Sequence, residues 1–168
     1  QNRIKRTLPI YSVDSLLNFE RGISIADSNY IQTLEPRIYY VKIPFKNQSN
    51  IPLFDTSISD FNIDQIFQTN RFSGDDRIND ADQITLAITS KLIDFNGREK
   101  TRAVIAQRFY LDDEQVVLHN DDAPRNSKKS DILIGLDKYS PNGVSINLAS
   151  QYSTVDNVFK SVGFIKIK

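Results

Sequence analysis

A chain of 168 residues with 25% charged and 39% hydrophobic side chains has the composition of folded rather than disordered protein. Its 21 basic and 21 acidic residues cancel, so no global field draws it to nucleic acid, and no apolar run approaches the ~20 residues of a membrane-spanning helix. Without cysteine and with a single histidine, His119, it has neither thiol chemistry nor a His-rich metal site, and no cofactor is expected.

The 21 Ile against 12 Leu favour pleated surfaces over helix faces. In chain order, Ile4 to Phe19 is a weak strand candidate and Glu20 to Asn29 a short link. Ile31 to Phe45 is strand-like, with Leu34, Ile38 and Tyr40 opposite Glu35 and Arg37, and with Pro36 removing one ladder donor. Residues 46–82 form a long loop, in which Asp64-Gln65-Ile66-Phe67 has helical spacing for no more than a turn. Gln83 to Leu92 alternates cleanly, Ile84, Leu86, Ile88 and Leu92 against Thr85, Ala87, Thr89 and Lys91.

A turn around Asn96-Gly97 returns the chain into Arg102 to Leu111, whose Arg102, Val104, Ala106, Arg108 and Tyr110 make one face and mostly apolar residues the other. The acids and bases of 112–130 read as an exposed, solvated loop. Ile132 to Leu136, the turn Ser140-Pro141-Asn142-Gly143 and Val144 to Tyr152 give a second hairpin. After Asp156-Asn157, Val158 to Lys168 is a last strand.

The reading is all-β, with about seven antiparallel up-and-down strands in one domain, 1–168. Short and long connections alternate, as they do in outer-membrane barrels, where one side carries tight turns and the other extended loops. A strand of ~10 residues at about 3.3 Å each, tilted by roughly 40°, spans the ~25 Å apolar band of such a barrel. Single-chain bacterial barrels have an even number of at least 8 strands, so the remaining strands are expected outside this excerpt. The start without Met and the lack of a signal-peptide pattern agree with an internal piece. A soluble all-β binding module, or a segment of a porin or receptor barrel, is the alternative.

In a barrel, Glu35 and Arg37 share the lumen side, because charge facing mid-bilayer lipid costs about 2 to 4 kcal/mol; or they lie near an interface and are merely solvated. Parity assigns Arg102 and Arg108 to the same side. The 46–82 loop interleaves seven acids, among them Asp76 and Asp80, with Phe54, Phe61, Phe67 and Phe72. It is therefore expected to fold inward as a lid or plug-contacting loop, with Arg71 and Arg77 paired to nearby carboxylates. Asp75, Asp76, Asp80 and Asp82 lack the alternate-ligand, central-glycine pattern of a calcium loop, and no catalytic constellation forms around His119, so neither metal site nor enzyme is expected.

Gln32-Thr33-Leu34-Glu35-Pro36-Arg37, running on to Gln48, is followed by Phe54-Asp55-Thr56, Asp60-Phe61, Asn70 to Ile78, Asp80 to Gln83 and Leu86 to Leu92. Upstream stand Ser12-Val13-Asp14-Ser15 and Phe19-Glu20-Arg21. This ordered series resembles the LptD family of lipopolysaccharide-assembly proteins, most strongly from about Ser12 to Tyr110. Leu16, Asp75 and Asp82 depart from residues common there, which bears on local loop geometry. The resemblance implies a mid-barrel piece of a translocon that inserts lipopolysaccharide into the outer leaflet of the outer membrane of a Gram-negative bacterium. It implies as partners lipopolysaccharide, outer-membrane lipid, the plug lipoprotein LptE and a periplasmic transport bridge. The bridge would act through an N-terminal jelly-roll domain absent from this excerpt.

Overall fold

A computed structural model describes residues 6–140 and 143–167. Ten strands appear among them: β1 Tyr11–Leu16, β2 Phe19–Ile25, β3 Ser28–Ile43, β4 Ser57–Ile58, β5 Phe72–Ser73, β6 Ala81–Asp94, β7 Glu99–Tyr110, β8 Ile132–Tyr139, β9 Val144–Ser153 and β10 Val158–Ile167. Eight of them form one sheet in the order β1-β3-β6-β7-β8-β9-β10, with β2 also on β3, and β4 pairs with β5 alone. The register is antiparallel in β2–β3, β7–β8, β8–β9 and β9–β10. The all-β, antiparallel expectation is met; within this segment the sheet is an open strip, not a closed one.

The expected link at 20–29 is instead strand β2, a two-residue turn and the first two residues of β3. Ala26 and Asp27 both have positive φ, 47° and 61°, as the tight hairpin between twisted strands requires. Of the candidate Ile4 to Phe19, only Tyr11–Leu16 and the first residue of β2 are strand, and Ile4 lies outside the described residues. The irregularity expected at Pro36 falls on its partner. The Leu17 N–H donates to the Pro36 carbonyl at 3.0 Å, the imide nitrogen has no hydrogen to return, and the strand breaks at Leu17-Asn18 between β1 and β2. The 140–143 turn closes from Gly143 N–H to the Ser140 carbonyl at 3.2 Å, while its Pro141 and Asn142 lie outside the described residues, as does Lys168.

The chain divides into two compact units: residues 6–14, 39–85 and 108–130, and residues 15–38, 86–107 and 131–167. β1, β3, β6 and β7 contribute residues to both. In the second unit burial runs against the soluble pattern. Leu34, Ile38, Leu86, Ile88, Ile105, Ile134, Leu136 and Leu148 are exposed, Ile38 by 54% and Ile88 by 49%. On the opposite face Thr33 and Ala87 are buried, and Glu35, Arg37, Lys91 and Arg102 half-buried. Directly opposed residues share a face, and the register sets Leu34 beside Phe19, Ile105 beside Ile134 and Leu136 beside Leu148. The first unit has a conventional apolar cluster, Tyr39, Val41, Ile43 and Ala81, with Leu8, Phe67 and Ile78 against it.

Candidate functional site

The 44–80 segment is a folded loop held by its own polar side chains. Asn62 Oδ1 accepts the N–H groups of Asp64 and Gln65 at 3.0 and 2.9 Å, starting the single turn in which Ile66 N–H reaches the Asn62 carbonyl at 2.9 Å. Asp76 Oδ2 accepts Phe54 N–H at 2.7 Å, Asp55 N–H at 3.3 Å and Thr56 Oγ1 at 3.2 Å, so one carboxylate gathers the 54–56 turn. Those donors, the Phe54 amide first, hold its pKa below the ordinary carboxylate value. Gly74, at φ 79°, lets the chain turn directly after β5, beside Thr56; a Cβ there would meet Thr56 Oγ1 at 2.9 Å.

A second loop, 111–131, binds the first through buried charge. Asp80 is 6% exposed, and its carboxylate accepts the N–H groups of Gln115 and Val116, each at 2.8 Å. Arg71 donates from Nη2 to the Val116 carbonyl at 2.6 Å and stacks over the Phe72 ring at 4.7 Å. Its Nε lies 3.4 Å from Glu114 Oε2, and Arg125 Nε lies 3.2 Å from the same oxygen. Glu114 and Arg125 also exchange both backbone hydrogen bonds at 3.1 Å, and Arg125 donates to the Tyr110 hydroxyl. Glu114 is 3% exposed. Burial pushes its pKa above the ordinary value, opposed by Arg125, Arg71 and Arg108. Burial likewise lowers that of Arg71, opposed by Glu114.

Arg108 is buried where the loop meets β7. It donates to the Ile66 carbonyl and, at 3.3 Å, to Thr85 Oγ1, with the Phe61 ring 5.9 Å away. Thr85 in turn donates to the Ile66 carbonyl at 3.2 Å. The Ile66 turn is thus fastened by two side chains of the neighbouring strands.

In the second unit the polar face is paired across strands. Glu35 on β3 accepts Lys91 Nζ of β6 at 2.9 Å and Thr33 Oγ1 at 2.8 Å. Arg37 is half-buried on the same face of β3. Arg102 pairs with Glu99 at 3.1 Å, and Asn147 donates to Asp137 at 2.7 Å between β9 and β8.

Of the residues singled out in the sequence, the structure brings Arg71, Asp80 and Arg108 into the first unit's buried network, and Asp76 into its own turn. Glu35, Arg37 and Arg102 belong to the second unit, on its polar face. One expected pairing differs: Arg77 is buried and donates to the carbonyls of Ile51 at 2.8 Å and Asp76 at 3.5 Å rather than pairing with a carboxylate, because the loop wraps its own backbone around the guanidinium. The solvated reading of 112–130 also needs correction. Asp112, Asp113, Asp121 and Asp122 are exposed, but Glu114, Val116 and Ser130 are buried. The apolar run Val116-Val117-Leu118 amid those charges was the signal for this. Nothing in the sequence distinguished Glu114 from its acidic neighbours, nor marked Arg125 and Tyr110.

The model of the family described as LPS transport system D matches residues 1–164. Among curated relatives, an LPS-assembly protein LptD of Aromatoleum aromaticum is 44% identical over 162 residues, and that of Azoarcus sp. 43% over 162 residues. The protein of the same name from Burkholderia thailandensis is 42% identical over 165 residues. Each alignment covers 96% of this chain, and the chain spans about a fifth of the length of these relatives, 20% or 21%.

Proposed function

The chain belongs to the LPS transport system D family, and we propose that it is a stretch of barrel wall, with two folded loops, in an outer-membrane translocon. That machine places lipopolysaccharide in the outer leaflet of a Gram-negative outer membrane. The observation carrying this reading is the second unit's inverted sheet: exposed Leu and Ile on one face, cross-strand ion pairs and amides on the other. Lipid is the solvent in which that arrangement is stable, because an apolar face costs nothing there while polar residues need a wet lumen. The open edges at β1–β2 and β10 would then be closed by strands of the remaining chain, as unpaired N–H and C=O groups are not tolerated in hydrocarbon.

In this reading lipopolysaccharide is the cargo and outer-membrane lipid the surroundings. The network of Arg71, Asp80, Glu114 and Arg125 stiffens loops that face the lumen and the plug lipoprotein LptE. The periplasmic bridge delivers cargo through a jelly-roll domain outside these residues. No role in bond-making chemistry is assigned to any side chain.

The test is a pair of arginine substitutions in the complete protein. Ile88→Arg places charge in lipid and is expected to cost about 2–4 kcal/mol, seen as loss of the heat-modifiable folded band on electrophoresis, whereas Thr89→Arg on the polar face leaves the band intact. Residues 1–168 giving a monodisperse, folded, detergent-free monomer would overturn the reading.

A further inference from the structure

Two side chains close the neck of the 44–80 loop. Gln48 is buried; its Nε2 donates to the Ile78 carbonyl at 2.7 Å and its Oε1 accepts the Ile78 N–H at 3.1 Å, so it pairs with that residue as an adjacent strand would. The same Oε1 accepts Arg6 Nη1 at 2.6 Å. Arg6 Nη1 also donates to the Asp76 carbonyl at 2.8 Å, and its Nη2 to the carbonyl of Asp75. Next to it, Lys46 Nζ donates to the Thr7 carbonyl at 3.1 Å, and Leu8 packs with Phe67 and Ile78 against Tyr39, Val41, Ile43 and Ala81.

We propose that residues 6–8 are a latch on the neck of this loop: with Arg6 seated, Gln48 and residues 75–78 are shut over the apolar cluster, and withdrawal of Arg6 frees that neck while the Ile66 turn stays fastened to Thr85 and Arg108. The guanidinium suits the task because its planar fork reaches acceptors on both sides of the neck at once, which a lysine's single ammonium does not. Its partners are one amide and two backbone carbonyls, so the contact depends on position and not on a countercharge. Withdrawal would remove donors from these acceptors and take Leu8 off the cluster, so opening and water entry occur together. Because 6–8 leads directly into β1, displacement of the chain ahead of β1 is transmitted to a loop some seventy residues away, as the separations of 69 and 70 in those bonds show. The inference stands on this geometry alone and does not depend on the sheet facing lipid.

Hydrogen exchange of the complete protein in detergent, corrected for intrinsic rates, tests it with Arg6→Ala and Arg6→Lys. Peptides covering 48–56 and 74–78 are expected to exchange on the order of tenfold faster in Arg6→Ala and less than that in Arg6→Lys, while peptides from the Ile66 turn, from β6 beyond Leu86 and from β7 before Arg108 keep their rates. Unchanged loop rates would overturn the latch, and so would an equal rise in the strands, which signals general loss of structure. Gln48→Ala provides the second arm: it should open the neck by itself, and adding Arg6→Ala should add little. Full additivity of the two would show independent contacts and no latch.

Discussion

Arg71 and Glu114, on different loops, meet with Nε 3.4 Å from Oε2 in a site where the Glu114 side chain is 2% exposed. Neither residue would hold its loop alone. Arg71 is anchored by the Val116 carbonyl and the Phe72 ring, Glu114 by its backbone ladder to Arg125. The ion pair is therefore the cross-piece between two segments already shaped locally, and Asp80, which caps Gln115 and Val116, is the other.

Arg71 and Arg125 share the Glu114 carboxylate, so removing Arg71 leaves that buried charge with one partner in place of two and leaves the Val116 carbonyl without its donor. Arg71→Ala is expected to destabilise the loop pair by about 1–3 kcal/mol. Glu114→Gln in the Arg71→Ala background should recover part of that loss. Protease susceptibility of the two loops in the folded protein, measured around this mutant cycle, is the check; strict additivity would refute the coupling.

The acids of the first unit pull in opposite directions with pH. Glu114 has its folded pKa raised, chiefly by burial, so its contribution is fully present below the unfolded value near 4.5 and is lost as pH rises through the folded pKa. Asp76 has its pKa lowered by the Phe54 amide and its companions, so its contribution is present above the unfolded value near 3.8 and is lost as pH falls through the folded one. Rate-corrected exchange should therefore slow in 111–131 as pH falls through the raised pKa of Glu114 toward its ordinary value near 4.5, an effect that Glu114→Gln abolishes. The 54–56 turn should loosen only in stronger acid.

Gly74→Ala combines a strained φ of 79° with a Cβ 2.9 Å from Thr56 Oγ1 and 3.1 Å from the Asp55 carbonyl. It should cost about 1–3 kcal/mol of loop stability, visible as faster exchange at Phe54 to Ser57. Gly97→Ala, where a Cβ would meet open space but φ is 74°, pays the conformational part alone and should cost less.

Strand positions were legible because the side-chain period of two is local. Ile84, Leu86, Ile88 and Leu92 alternate with threonine, alanine and lysine whatever else the chain does, and the strand found, Ala81–Asp94, extends that run by two residues at each end. The β2 segment was missed because Phe19-Glu20-Arg21-Gly22 alternates poorly and Ala26-Asp27 is an unusual pair for a turn with two positive φ angles. Among site residues, Arg71, Asp80 and Arg108 could be marked as charges in an apolar-rich context. Glu114 could not be separated from Asp112 and Asp113 on any local ground.

By itself, then, the sequence determined the all-β class, the two-sided character of the long strands and the family, since each is written in residues close together along the chain. Which acid is buried, which arginine finds a carboxylate and which a carbonyl, and how Arg6 reaches Gln48 were decided only by the tertiary structure. Desolvation and hydrogen-bond geometry act on groups that the fold brings together from distant positions, and side-chain type alone does not encode that meeting.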